Sequence, residues 1–200
     1  EDAAYSKLSY EGDVLPSLLA LDDVGDDQNA GTVIQLGTFS KTLVPALRIG
    51  WVCAPRPVIE RLVLITQAGN LHVSTINQEV ALRAVRKLFP GHLDAVRDAY
   101  RAKRDTMLAA MDEFMPDVVS YTRPEGGMFI WLTLPENIDS RQLLEQALED
   151  AKVAFVPGQA FFCDHSGRNT ARLSFATEKP DRIRDGIERL ALLIKRVHNQ

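Results

Sequence analysis

A short β-branched run, residues 32–36 (TVIQL), passes without a break into Gly37-Thr38-Phe39-Ser40-Lys41-Thr42-Leu43-Val44-Pro45-Ala46-Leu47-Arg48-Ile49-Gly50. No other feature of the chain constrains its fold as strongly. A buried strand that feeds a polar loop places that loop at the strand's carboxyl end, which is where open α/β sheets bind ligands. Residues 48–54 (RIGWVCA) read as a second strand. Pro57 in a first helical turn and Gly69 at a stop bracket a helix carrying Val58, Ile59, Leu62, Val63 and Ile65. Ser74 or Thr75 can cap the next helix, with Thr75 and Gln78 as a capping box. That helix is expected to run to about Leu88, where Pro90-Gly91 breaks or kinks the chain.

A long helix is predicted over residues 92–115, with Leu93, Val96, Tyr100, Met107, Met111 and Phe114 on one face. The rhythm then changes. Residues 118–122, 128–134, 153–156 and 172–176 read as short strands, with helices at about 140–151 and 180–197. The last helix carries Ile183, Ile187, Leu190, Ile194 and Val197 at alternating steps of four and three, an amphipathic stripe. The expected fold class is α/β. Residues 1–91 form the end of a mixed α/β layer, and residues 92–200 a linking helix and a small α+β domain.

The loop around Lys41 also defines a chemistry. It offers one amine nucleophile, two hydroxyls (Thr38 and Ser40) and one fixed cation (Arg48) within eleven residues. Each has an ordinary alternative: a solvated lysine, a surface ion pair, local turn bonding by Thr and Ser. Together they suit a phosphorylated carbonyl cofactor, pyridoxal 5'-phosphate. The lysine bonds its aldehyde as a Schiff base, while the guanidinium and hydroxyls take the phosphate. Asp2 and Tyr5 could pair with the pyridine nitrogen and the 3'-oxygen, although their spacing alone favours a charged terminal residue and a core aromatic.

Other classes recede. The net charge of −4 offers no general attraction for nucleic acid. No apolar stretch approaches the length of a membrane span. Cys53 and Cys163 are too few for a disulfide framework, which favours a reducing cytoplasm. His72, His92, His165 and His198 are scattered without metal-ligand spacing, so no metal is expected. Gly126-Gly127 does not follow the dinucleotide pattern. The chain opens at Glu1 without a Met, which is read as a fragment or a lost preceding segment.

The residues resemble a known family. Asp2-Ala3-Ala4-Tyr5, the run Thr38-Phe39-Ser40-Lys41 with Pro45-Ala46-Leu47-Arg48-Ile49-Gly50, Gly126-Gly127-Met128-Phe129, Val156-Pro157-Gly158 and Arg172-Leu173-Ser174-Phe175 are similar to the carboxyl-terminal half of fold-type I, class I/II PLP-dependent aminotransferases. Thr38 stands where that family usually has Ser, and Ala46 where it usually has Gly. The resemblance implies Lys41 as Schiff-base lysine and proton shuttle, Asp2 and Tyr5 on the cofactor ring, and Thr38, Ser40 and Arg48 on its phosphate. It also implies Arg172 on the substrate α-carboxylate, amino acid and 2-oxo acid substrates, and a homodimeric parent protein. The 200 residues alone are expected not to be fully competent. Gln67-Ala68-Gly69-Asn70-Leu71-His72 with Asn77-Gln78 resembles the 2-aminoadipate and kynurenine aminotransferase subgroup. The rival reading is an aminotransferase-like effector domain of a GntR/MocR-type transcription regulator, which the lysine motif and Tyr10-Glu11-Gly12 with Leu15-Pro16-Ser17-Leu18 also resemble.

Overall fold

The computed structural model describes residues 1–22 and 30–199. The fold is mixed α/β, in two compact units, Glu1–Arg97 and Asp98–Gln200.

The first unit begins with an extended segment. Leu36 N–H donates to the Glu1 carbonyl (2.8 Å) and Ala3 N–H to the Leu36 carbonyl (2.8 Å), so Asp2 bridges Leu36 in parallel. A single turn, α1 (Leu18–Leu21), follows, capped by the Ser17 hydroxyl, which accepts from Ala20 N–H. Strand β1 is Gln35–Thr38, later than the expected 32–36, and β2 is Gly50–Cys53. They pair antiparallel, with Gly37 opposite Trp51. The indole lies where a side chain at 37 would project: a Cβ built there collides with the ring, so glycine lets the strands close. Helix α2 (Arg56–Gly69) has Pro57 in its first turn, where its missing N–H costs no helical bond.

Helix α3 spans Thr75–Phe114 without interruption. The separate helices expected either side of Pro90-Gly91 are therefore one. A proline removes one backbone bond and a glycine costs about 1 kcal/mol, whereas propagation from established turns on both sides is cooperative. Of the two caps expected at its start, one forms. Ser74 Oγ accepts from Asn77 N–H (3.3 Å) and the Gln78 side chain donates to the Val73 carbonyl (3.1 Å). Ser74 is thus the cap, and no Thr75–Gln78 box forms.

The second unit holds a four-stranded antiparallel sheet in the order β3-β4-β6-β5. Its strands are β3 (Ser120–Tyr121), β4 (Phe129–Thr133), β5 (Val156–Pro157) and β6 (Thr170–Ser174). Strand alternation sorts the central pair: Ile130, Leu132, Ala171 and Leu173 are buried, while Phe129, Trp131, Arg172 and Ser174 take the other face. Helix α4 (Ser140–Gln146) is capped by Asp139, whose carboxylate accepts from Arg141 and Gln142 N–H, and continues as a π-turn over Ala147–Ala151. Helix α5 (Pro180–His198) buries Ile183, Ile187, Leu190 and Ile194 of the expected stripe, while Val197 is half-buried. Asp181 in its first turn and Lys195, Arg196 and His198 in its last match the helix dipole. Met107, Ala110 and Met111 of α3 and Phe175 are also buried in this unit.

Candidate functional site

Lys41 sits in the turn that follows β1, and three contacts close the neck of its loop. Thr38 Oγ1 donates to the Ile49 carbonyl (3.0 Å), Phe39 N–H donates to the same carbonyl (3.2 Å), and Ser40 N–H donates to Thr38 Oγ1 (3.0 Å). The chain then coils back: Leu43 and Val44 N–H both reach the Phe39 carbonyl. Thr42 is buried beneath it. Lys41 itself is half-buried.

The loop's far end is a 3-10 turn, Pro45–Leu47, closed by Arg48. Arg48 has φ 54° and ψ 45°, the left-handed region that non-glycine residues seldom occupy. Its backbone N–H and its Nη1 both donate to the Pro45 carbonyl, at 3.2 and 3.3 Å. The guanidinium is thereby folded back over its own turn while remaining exposed. Asn77, near the start of α3, donates from its amide to the Leu47 carbonyl (3.2 Å) and ties this turn to the helix. Strained backbone held by surrounding bonds is a feature of ligand sites.

The parallel bridge between residues 2 and 36 brings the amino-terminal segment to this loop. Lys41 Nζ lies 5.5 Å from the Tyr5 ring centroid, within cation–π range. Asp2 is exposed and its Oδ1 accepts from Ala4 N–H (3.0 Å). The unit therefore brings the Tyr5 phenol to the Lys41 amine past the end of β1, with Thr38, Ser40 and Arg48 in the same loop and Asp2 on the segment bridged to that strand. This donor set fits an aromatic aldehyde that carries a phosphate. Two details were not legible beforehand. Thr38's hydroxyl proton is committed to Ile49, whereas the Ser40 hydroxyl has no partner among the described residues. Asn77's hold on the Leu47 carbonyl had no signal beyond its place next to a helix cap.

Arg172 belongs to the second unit and lies on the unburied face of β6. Its Cζ is 4.0 Å from the Phe129 ring centroid and 4.5 Å from that of Phe161. Its Nε is buried and unpartnered among the described residues. A hollow of about 210 Å³ beside it is lined by Phe129, Ala154, Phe155, Val156, Arg172 and Ser174. Among the described residues no helix is long and apolar enough to cross a membrane, and no three His, Cys, Asp or Glu are grouped to hold a metal ion.

The sequence pattern of the family described as aminotransferase class I and II matches residues 1–190. The chain is 43% identical over 196 residues to aromatic-amino-acid aminotransferase 1 of Thermococcus litoralis, which covers 98% of this chain and 45% of that protein. It is similar to the solved structure of LysN, an alpha-aminoadipate aminotransferase of Thermus thermophilus complexed with N-(5'-phosphopyridoxyl)-L-leucine. That match has a TM-score of 0.92 and 39% identity, over 99% of this chain and 50% of that one. The Pyrococcus horikoshii kynurenine aminotransferase structure matches with a TM-score of 0.91 and 42% identity, over 98% of this chain and 47% of that one. The transcriptional regulator NorG of Staphylococcus aureus is 31% identical over 198 residues, covering 98% of this chain and 42% of the regulator. The chain spans about half the length of the curated relatives it matches.

Proposed function

The chain belongs to the aminotransferase class I and II family, and from that premise we propose that the protein containing it moves an amino group between an amino acid and a 2-oxo acid, with pyridoxal 5'-phosphate held at Lys41. The observation that carries this reading is the Lys41 amine beside the Tyr5 ring, in a loop closed by a strained Arg48. When bound, the cofactor supplies an aldehyde carbon for amine exchange and a ring that accepts electron density from the substrate's Cα.

Lys41 Nζ is the amine that bonds that carbon and, when free, takes the proton from Cα. The Asp2 carboxylate pairs with the ring nitrogen through Oδ2, while its Oδ1 keeps the bond from Ala4 N–H. The Tyr5 hydroxyl donates to the 3'-oxygen. Ser40 Oγ and the Arg48 guanidinium hold the phosphate; Thr38 joins them only by turning its hydroxyl away from Ile49. Arg172 takes the substrate α-carboxylate through its in-plane donors. The apolar side chains exposed on the first unit, among them Leu62, Ile65 and Ile76, support a homodimeric protein in which they are covered. The two free, exposed cysteines support a cytoplasmic location.

The test is transamination by the protein that contains this chain. Lys41→Ala is expected to abolish turnover and the visible absorbance of the bound cofactor; turnover at the wild-type rate in that variant contradicts the assignment. The similarity to NorG favours one second reading, an effector domain that binds the cofactor without transferring amino groups. Cofactor absorbance without turnover for any amino acid, together with a shift of DNA fragments in a gel, selects that reading.

A further inference from the structure

The outer face of the second unit's sheet is built around Arg172. Residues 129 and 131 alternate onto this face of β4, and the register sets Arg172 of β6 directly opposite Trp131 and diagonal to Phe129. The 3-10 turn Gly158–Phe161 then returns over the same strand. Gly158 allows that approach: a Cβ there would sit 2.9 Å from the Thr170 carbonyl oxygen and closer still to its hydroxyl. Phe161 thereby lies against the guanidinium, as Phe129 does, and packs edge-on to Trp131, with centroids 5.5 Å apart and planes at 74°.

A guanidinium is planar, and the Phe129 and Phe161 ring centroids lie 4.0 and 4.5 Å from its central carbon. Ring contacts of this kind use none of its N–H donors, whose fork matches a carboxylate. Arg172 Nε has no partner among the described residues. Stacking fixes a side chain that otherwise has many rotamers, so its entropy is lost on folding rather than on binding. Phe161 is 47% exposed. A ring left this open gains little from burial, which makes its contact with Arg172 the more informative one.

We propose that Phe129 and Phe161 are positioning residues for Arg172, fixing the orientation in which its N–H fork meets a carboxylate, an inference that rests on Arg172 being the group that binds the substrate's α-carboxylate. The rings act through the cation and do not touch the reacting atoms. Replacing the Phe161 ring by an aliphatic group of similar bulk removes the cation–π attraction and frees the side chain, weakening carboxylate binding roughly three- to tenfold.

The experiment is calorimetric titration of pyruvate, the smallest 2-oxo acid, into the protein that contains this chain. It compares wild type, Phe161→Leu, Phe161→Tyr, Arg172→Ala and the Arg172→Ala/Phe161→Leu double variant, with Phe129→Leu as a second probe and circular dichroism to verify folding. Expected are weaker binding in Phe161→Leu, affinity within twofold of wild type in Phe161→Tyr, and no further loss when Phe161→Leu is added to Arg172→Ala. The proposal is overturned by Phe161→Leu and Phe129→Leu binding like wild type, by equal losses with and without Arg172, or by pyruvate binding indifferent to Arg172→Ala. Turnover is scored separately. Pyruvate binding that depends on Arg172 and Phe161 without any transamination removes the aminotransferase reading and leaves this one standing. Transamination with a failed cycle does the reverse.

Discussion

The two units of this chain solve opposite problems. In the second, a four-stranded sheet buries one face: Ile130, Phe175 and Ile194 are each 0% exposed. In the first, α2 has no buried residue and all four residues of β2 are exposed. Yet the first unit carries the lysine loop. The groups proposed for its chemistry are held by local hydrogen bonds at the loop's neck and by the bridge between residues 2 and 36, over a small core that includes Leu8, Tyr10 and Ile49. Chemistry and stability should therefore come apart under substitution, one concentrated in each unit.

The largest effect tests the chemical side. Lys41→Ala is expected to reduce turnover by at least about a thousandfold, because it removes the amine proposed both to bond the cofactor and to move the proton. With cofactor removed from both proteins, the same variant should unfold within about 0.5 kcal/mol of wild type in urea. A loss of stability comparable to that of a core deletion would merge the two regions and break the comparison.

The stability side is tested by Phe175→Ala, which empties a fully buried position and is expected to cost about 3–5 kcal/mol by urea unfolding. Asp139 gives a smaller and pH-dependent effect. Burial pushes its carboxyl up, but the Arg168 guanidinium and the N–H groups of Arg141 and Gln142 outweigh that and leave it below the ordinary value of 3.8. Its contribution is thus fully present above pH 3.8 and is lost as pH falls through the lower folded value. Asp139→Ala should cost about 1–2 kcal/mol at neutral pH through loss of the α4 cap. Asp139→Asn keeps a capping oxygen and should flatten the acid limb of stability measured by thermal unfolding across pH 2–5 (range set by about that carboxylate value). The smallest effect sharpens the contrast from the other side. Ile65 on α2 is 67% exposed, so Ile65→Ala should shift the unfolding of the 200-residue chain by no more than about 0.5 kcal/mol. A cost of several kcal/mol there would mean α2 is packed after all.

What could be read from the sequence follows the range of the forces involved. Helix α5 was legible because a 3.6-residue period records which face is buried, and β4 as a β-branched and aromatic run, whereas β6 lies two residues earlier than the expected 172–176, its sequence TARLS carrying little strand signal. The lysine loop was legible because its functional groups are neighbours in sequence. Helix α3 was misjudged where a strong local signal, Pro90-Gly91, met cooperative propagation from both sides. The left-handed Arg48 and the Thr38–Ile49 bond depend on how the loop closes on itself, which spacing does not encode. The stacking of Phe161 on Arg172 depends on a strand register joining residues eleven positions apart through a turn seated on Gly158. No periodicity reports such a contact. The placement of Tyr5 near Lys41 likewise waited on a bridge spanning residues 2 and 36.

The central claim is that one amine, Lys41 Nζ, captures the cofactor. Borohydride reduction of the cofactor-loaded protein followed by peptide mass analysis reads it directly. The account predicts a phosphopyridoxyl mass on the peptide containing Lys41, and none on that peptide in Lys41→Ala. A tag confined to another lysine, with Lys41 unmodified, would contradict it.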